Sequence, residues 1–346
     1  MAVSPTILVT GGTGFIGRHL VGQLLGAGHV VRVFCRSGRK AEALFGTRVE
    51  VVEGDLTSAD AARTACRGVD RMFHVAGLYC FGARHRAELW RVNVEGTRTV
   101  LETARTSGVR QVVHCSTAGI LSAQGRLLTH LDLPAKPPAG CGYKISKWHG
   151  ERLALEAAAA GIPVVIASPT APIGAGDERP TPTGQMILDL MEGRFPACSR
   201  TGLNVISVVD LARGLVAVSE RGVSGERYVL GHENLWLEEF LARVAAQVGR
   251  RAPRAWVPWP VVAAGGLLGD LAGLLTGHGG ERLCWETAYY ARQRQFFDIE
   301  ATERRLGWRA REDLDGAIRE TVEWFSNRAA GRPSETPVER GATVLP

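Results

Sequence analysis

The sequence predicts an α/β fold: a doubly wound parallel sheet with a smaller, mostly helical lobe in the C-terminal half. Three observations carry that expectation. Short, continuous, β-rich apolar runs recur through the first half of the chain. Helical stretches of about ten to fifteen residues separate them. The first run ends in a glycine turn that opens a helix. Alternation of this kind builds right-handed βαβ units, hence a parallel sheet covered on both faces.

Thr6 to Thr10 reads as the first strand, with the continuous apolar pattern of a strand buried on both faces. Gly11, Gly14 and Gly17 follow, three apart, and a helix begins at Phe15-Ile16 and runs through His19-Leu20-Val21. Strand, glycine turn and helix N-terminus together make a pyrophosphate site spanning Gly11, Thr13, Gly14, Phe15, Ile16 and Gly17. The glycines let the backbone turn tightly and approach the ligand. The helix start offers unpaired N–H groups and a positive dipole end.

Val30 to Cys35 reads as the second strand, ending at Arg36. In a dinucleotide-binding fold this point senses the adenosine ribose: a carboxylate binds the 2′-hydroxyl, whereas an Arg accommodates a 2′-phosphate. Cys35-Arg36, with Arg39 and Lys40 close behind and no acid, favours NADP(H) over NAD(H). Val49 to Leu56 is a third strand closing on Asp55, and Arg71 to Gly77 a fourth whose small last residues permit close approach of a ligand. Val112 to Ser116 is a fifth and Pro163 to Ala167 a sixth, with helices at Ser58 to Cys66 and Leu89 to Thr106.

Beyond Pro169 the alternation becomes irregular. Asp177 to Gly184 is loop-like, Gln185 to Glu192 and Leu235 to Val248 are helical, and between them lie a segment at Val205 to Val209 and a strand at Arg227 to Leu230. The expected division is a cofactor-binding domain over 1–168, with sheet returns near 205–231, and an interleaved substrate lobe over 169–325. Residues 329–346 read as a disordered tail.

At 346 residues and 45% hydrophobic, the chain can bury a sizeable core. Its net charge of +6 comes from scattered arginines without interleaved aromatics, which argues against a nucleic-acid partner. Seven cysteines, odd in number and without C-x-x-C spacing, suggest reduced thiols in a cytoplasmic protein with no disulfide framework and no metal. Only Met1 to Pro5 precede the first strand, so no signal peptide is expected. Trp256 to Thr276 is the most lipid-like stretch, but Pro258, Pro260, several glycines and Asp270 argue against a spanning helix. It reads first as a buried helix of the lobe, and second as a peripheral membrane contact or an apolar substrate wall.

The chemistry concentrates at Tyr143-Lys144-Ile145-Ser146-Lys147, which begins a helix. Tyr143 and Lys147 lie one turn apart on one face. A phenol titrates near pH ~10, and a neighbouring ammonium would draw it toward neutrality, so the pair can serve as an acid/base unit. Ser116 and Thr117 end the fifth strand at the carboxyl edge of the sheet, where open α/β folds bind ligands, and supply a candidate substrate-side hydroxyl.

On these motifs the chain resembles the extended short-chain dehydrogenases/reductases of the NAD-dependent epimerase/dehydratase family, which have a Rossmann fold, up to about Phe325. The matching stretches are Thr10 to Gly17, Gly54-Asp55-Leu56, Asn93 to Thr97, Ser116-Thr117, Tyr143 to Lys147 and Pro169 to Gly174. Pro180 to Gly184 and Thr201 to Asn204 are similar to the hopanoid-associated sugar epimerase group, close to dihydroflavonol-reductase-like and 3β-hydroxysteroid-dehydrogenase-like enzymes. The resemblance implies Tyr143 as acid/base, Lys147 as its partner and Thr117 as the substrate-orienting hydroxyl, with Ser116 as the alternative. It also implies cofactor contacts from Asp55, Leu56, Ala76, Gly77, Pro169 and Thr170, support from Asn93, and pairing of relatives as homodimers through helices such as Leu89 to Thr106 and Lys147 to Ala160.

Departures from the family pattern narrow the reaction. Dehydratases carry an Asp-Glu pair beside the hydroxyl, but here Thr117 is followed by Ala118-Gly119. Sugar-nucleotide epimerases hold the diphosphate with an Asn after the sixth strand and an Arg before a later I-x-V-x-D segment. This chain has Ala171 and Leu203 there, with Arg194 and Arg200 as the nearest substitutes. Tyr79-Cys80-Phe81 suggests an aromatic, apolar pocket instead. The expected activity is hydride transfer between a nicotinamide cofactor and a secondary alcohol or ketone of a small-molecule substrate. An epimerase with tightly bound NAD is the second reading, and a non-catalytic cofactor-sensing scaffold the third.

Overall fold

The glycine-terminated apolar run becomes the pivot of the sheet. The computed structural model describes residues 5–123, 126–194, 197–253, 255–276 and 284–332. In chain order its strands are β1 (Thr6–Thr10), β2 (Val30–Cys35), β3 (Glu50–Glu53), β4 (Val69–His74), β5 (Gln111–Cys115), β6 (Val164–Pro169), β7 (Ala171–Ile173), β8 (Ala197–Cys198), β9 (Gly202–Ser207), β10 (Arg227–Leu230), β11 (Glu233–Trp236) and β12 (Ala255–Trp256). The helices are α1 (Phe15–Gly26), α2 (Gly38–Phe45), α3 (Ala59–Cys66), α4 (Arg86–Trp90), α5 (Gly96–Thr106), α6 (Gly142–Ala159), α7 (Pro182–Met191), α8 (Val208–Arg221), α9 (Leu237–Val248), α10 (Trp259–Thr276), α11 (Trp285–Tyr290), α12 (Glu300–Leu306) and α13 (Leu314–Ala329).

Seven strands form one parallel sheet in the order β10-β6-β5-β4-β1-β2-β3. The β1 register matches Ile7 to Val31 on one side and to Arg71 on the other. Because β1 is covered on both faces, its alternate residues enter different cores. Ile7 and Val9 pack with Leu20, Leu211 and Leu215 under α1 and α8, whereas Leu8 joins Met72, Val100 and Val112 on the α3 and α5 side. Each such buried aliphatic contributes about 1.5–3 kcal/mol over the exposed state. Chain direction across the sheet reverses between β1 and β4, which opens a crevice at their carboxyl ends.

The C-terminal region is largely helical. A small sheet, β11-β9-β7, packs with α7, α9 and α13 around Ile187, Phe240, Leu241, Ile318 and Phe325. Several expectations need correction here. The segment at Val205 to Val209, to which the sequence assigns no element type, divides between β9 and α8: Val208 and Val209 open the helix, and the Ser207 hydroxyl caps it by accepting from Val209 N at 3.2 Å. The loop expected up to Gly184 ends earlier, since Thr181 is an N-cap and Pro182 the first helical residue. Helix Leu89 to Thr106 has a π-helical turn at Arg91–Glu95. Order extends past Ala329, because Arg332 N reaches Asn327 O at 2.9 Å; 333–346 lie outside the described residues. The stretch at Trp256 is a helix from Trp259, but it is not buried: Leu267, Leu268, Leu271 and Leu275 are exposed. No helix among the described residues is long and apolar enough to cross a membrane.

Candidate active site

The turn between β1 and α1 is built on glycine for steric reasons. Gly11 sits at φ +72°, and a Cβ there would lie 2.6 Å from the Ala76 nitrogen; one on Gly17 would lie 2.1 Å from the Gly11 carbonyl oxygen. Gly14 caps α1 without a side-chain acceptor, and no acidic residue occupies the first turn. The helix therefore presents its positive end and free N–H groups to the crevice, a cradle that fits an anionic diphosphate. Nearby, Ser116 Oγ is buried without a hydrogen-bond partner among the described residues, a polar atom that a ligand would satisfy.

Thr117 follows β5, and its Oγ1 accepts from Gly119 N at 3.1 Å; its hydroxyl is close enough to the Tyr143 phenol to act on its titration. Tyr143 and Lys147 stand one turn apart on α6, both buried. Lys147 Nζ donates to the Cys115 carbonyl oxygen at 2.7 Å. Their electrostatics differ from the expectation. Burial pushes the Tyr143 phenol above its ordinary value, with the Thr117 hydroxyl opposing it, and burial also pushes Lys147 down. Desolvation outweighs the attraction of the ammonium, which is tied to Cys115. The phenol is therefore kept protonated, the form that donates.

A shell of groups, some with a sequence signal, such as Asn93 and Tyr79, and others with none, surrounds these three. Asn93, presented by the π-helical turn, accepts from Leu78 N at 2.8 Å and donates to Leu78 O at 3.0 Å and Ser146 Oγ at 2.9 Å. It joins the loop after β4 to α6. Thr10 Oγ1 meets His74 Nδ1 at 2.8 Å, and His74 Nε2 meets Thr97 Oγ1 at 3.1 Å, linking β1, β4 and α5. Burial, aided by Lys147, pushes His74 down to about 3, so it stays neutral. Glu286, far along the chain, accepts from Gly82 N at 3.1 Å and Gly142 N at 2.9 Å, pinning the Tyr79 loop to the start of α6. Tyr79 packs on Tyr143 with ring centroids 4.1 Å apart. Lys144 donates to Gln293 and lies 4.1 Å from the Tyr290 ring centroid. Reading the chain from its motifs missed Glu286, Tyr290, Gln293 and the role of Lys144, since only the tertiary fold brings them to α6.

One cavity of about 1250 Å³ is lined by the glycine turn (Gly11, Thr13, Gly14, Phe15, Ile16 and Gly17) and by Arg36, Asp55, Leu56, Ala76, Gly77, Pro169 and Thr170. Thr117, Tyr143 and Lys147 line it too. Arg36 is exposed at the tip of β2 and makes no ion pair among the described residues. Asp55 accepts from Thr57 N at 2.9 Å and Oγ1 at 2.6 Å and pairs with Arg91 at 3.2 Å, which together hold its carboxyl down to about 2. The rest of the lining includes the apolar and aromatic Leu78, Phe81, Val257, Val261, Val262 and Tyr290, with Thr201, Gln293 and Gln295 as polar groups among them. Neither substitute clamp points there. Arg194 pairs with Asp189 at 2.9 Å, and Arg200 lies 5.2 Å from the Trp236 ring centroid.

Comparison with known proteins agrees with this geometry. Residues 7–231 match the model of the NAD dependent epimerase/dehydratase family. The chain is 37% identical over 265 residues to a Synechocystis sp. protein provisionally named a dihydroflavonol 4-reductase, covering 75% of this chain and 77% of that one. It is 34% identical over 267 residues to sterol demethylase protein B of Methylococcus capsulatus, covering 77% and 81%. The crystal structure of gox2253 superposes with a TM-score of 0.81 at 31% identity over 95% of this chain and 99% of that one.

Proposed function

We propose, from the premise that the chain belongs to the NAD dependent epimerase/dehydratase family of extended short-chain dehydrogenases/reductases, that it is a dissociable-cofactor reductase. It reduces a ketone on an apolar, isoprenoid-type small molecule in the cytoplasm, and NADP(H) is its preferred cofactor. The observation that carries this reading is the single cavity in which the glycine turn, Thr117, Tyr143 and Lys147 share a wall with Phe81, Val261 and Tyr290. A sterol-related relative supports the substrate class. Charge would be needed to hold a nucleotide diphosphate on the substrate side, and Ala171 and Leu203 line that part of the cavity.

A bound nicotinamide supplies the hydride. The chain holds that group with the α1 N-terminus, Asp55, Leu56, Ala76, Gly77, Pro169 and Thr170, and Arg36 takes a 2′-phosphate. Thr117 Oγ1 orients the carbonyl oxygen. Tyr143 donates its phenolic proton to that oxygen as the carbon is reduced, and Lys147 stabilises the phenolate left behind. Solvent then reprotonates it. In this reading residues 1–168 carry the cofactor and 169–325 the substrate. Two copies pair through α6 and the segment from the end of α4 through α5, where Trp90 of α4 is exposed beside His149 of α6 at 4.9 Å between ring centroids. Light scattering of the purified chain tests the pairing.

The function is tested by following NADPH oxidation with a panel of steroid and prenylated ketones, with Tyr143→Phe as the control. Turnover of a member of that panel that Tyr143→Phe abolishes is expected. Turnover of a nucleotide sugar without added nicotinamide would overturn the proposal and restore the epimerase reading.

A further inference from the structure

Helix α10 is apolar nearly all round, and its bulkier apolar side chains face outward instead of into the core. Its inner face is set by small residues: Ala263 is buried, and a Cβ on Gly266 would lie 2.7 Å from the Cys284 carbonyl oxygen and 3.0 Å from Ala288 Cβ, so α10 packs tightly on α11. Its outer face carries Val261, Ala264, Leu267, Leu268, Leu271 and Leu275, at the spacing of one helical stripe. Of the twelve large apolar side chains exposed among the described residues, six fall between Trp256 and Leu275. That concentration separates the stripe from ordinary scattered surface leucines. Its one acid, Asp270, is turned inward to accept from Trp285 N at 2.9 Å.

Two further features say what covers the stripe. At the start of α10, Trp256, Trp259, Arg200 and Arg292 line a surface notch of about 240 Å³. Arg292 lies 5.1 Å from the Trp259 ring centroid, and neither arginine makes an ion pair among the described residues. Tryptophans with unpaired guanidinium groups beside an apolar stripe match the depth profile of a bilayer surface: phosphates at the arginines, the interfacial zone at the indoles, acyl chains at the leucines. The second feature is continuity. Val261 is 60% exposed and also lines the large cavity, next to Val262 and Gly265. One helix is thus both the wall of the substrate pocket and the outer apolar face.

We propose that α10 docks on an anionic lipid surface, with Leu267, Leu268, Leu271 and Leu275 in the acyl boundary and Arg200 and Arg292 on headgroup phosphates, so that the cavity opens at Val261 toward the bilayer. A second copy of the chain is the competing occupant. The arginine notch argues against it, since a symmetric pairing would bring like charges together.

The test is flotation of the full-length chain with vesicles of phosphatidylglycerol and phosphatidylcholine in equal parts, and with phosphatidylcholine alone. The chain is expected to float with the anionic vesicles and to be released by high salt. Leu268→Glu with Leu271→Glu is expected to reduce partitioning by about tenfold or more, and Arg200→Glu with Arg292→Glu by about tenfold. Circular dichroism checks that these exposed substitutions leave the fold intact. No flotation of the folded wild type would overturn the proposal. So would conversion of a dimer to a monomer by the leucine variant without any vesicle binding, which would assign the face to self-association. Neither readout uses turnover, so this proposal can fail while the reductase reading stands, and the reverse.

Discussion

In the proposed mechanism three side chains carry the chemistry, and their surroundings set what each can do. Burial favours the neutral phenol of Tyr143 over the phenolate. Because the donor form is the stable one, ketone reduction should be flat with pH from about 6 to 8, while the reverse oxidation, which needs the phenolate, should climb as pH rises. Initial rates in both directions across that range check this, and a reduction rate falling through neutrality would contradict it. Tyr143→Phe should lower turnover by about a hundredfold to ten-thousandfold with cofactor affinity nearly unchanged, measured by NADPH fluorescence titration. Arg36→Ser should lower NADPH affinity with little effect on NADH, the two titrations being compared in one preparation. Tyr143 and Lys147 were legible in the sequence from spacing plus resemblance. The direction of the tyrosine's shift was not, because burial is a property of the fold and the sequence shows only the neighbouring charge.

Elements deliver these side chains, and the two that matter most are irregular. The π-helical turn at Arg91–Glu95 brings Asn93 between Leu78 and Ser146, and α6 accepts that bulge by placing Gly150 against it: a Cβ there would lie 2.6 Å from the Asn93 carbonyl oxygen. Gly150→Ala should destabilise the chain by about 1–3 kcal/mol and lower turnover as Asn93 is displaced, read by thermal denaturation alongside kinetics. The start of α7 holds a second strained feature. Asp177 caps the turn by accepting from Thr181 N and Oγ1, both at 2.8 Å, yet it is buried with Oδ1 unpartnered among the described residues, and burial pushes it up to about 6. A carboxyl whose folded value lies above its unfolded one binds more protons when folded. It therefore contributes stability below about pH 4 that is lost as pH rises through about 6, at most about 3 kcal/mol. Asp177→Asn should flatten the melting temperature across that window; an unchanged slope would contradict the assignment. Strand and helix positions in the first half were readable from apolar runs, whereas the Thr181 cap that starts α7 lies hidden inside a Pro/Gly/Thr-rich stretch. A π-turn has no periodicity that marks it, and β11, four residues long, was hidden in the helical pattern at Leu235.

Across the whole molecule, sheet order places the candidate site at the carboxyl ends of the strands, beside the switch in connectivity between the paired strands β1 and β4, and the helical lobe closes the far side. That half of the architecture was legible, since alternating runs and a glycine turn dictate a parallel sheet and its crevice. The lobe was less so. Glu286, Tyr290 and Gln293 meet α6 from almost 150 residues away, as in the Glu286 bond to Gly142, and no local spacing reports such a contact. The outward apolar face of α10 was visible only as a greasy stretch until the packing of Gly266 on α11 and the burial of Ala263 fixed which face looks outward.

In the proposed mechanism this cavity binds its nicotinamide reversibly and spends it on an apolar ketone. The most direct measurement is to denature the purified chain and assay any released nucleotide, then titrate the native chain with NADPH and with NADH. The expected result is no stoichiometric resident nucleotide, reversible binding of both, and tighter binding of NADPH. Stoichiometric NAD that exchange cannot remove would contradict it.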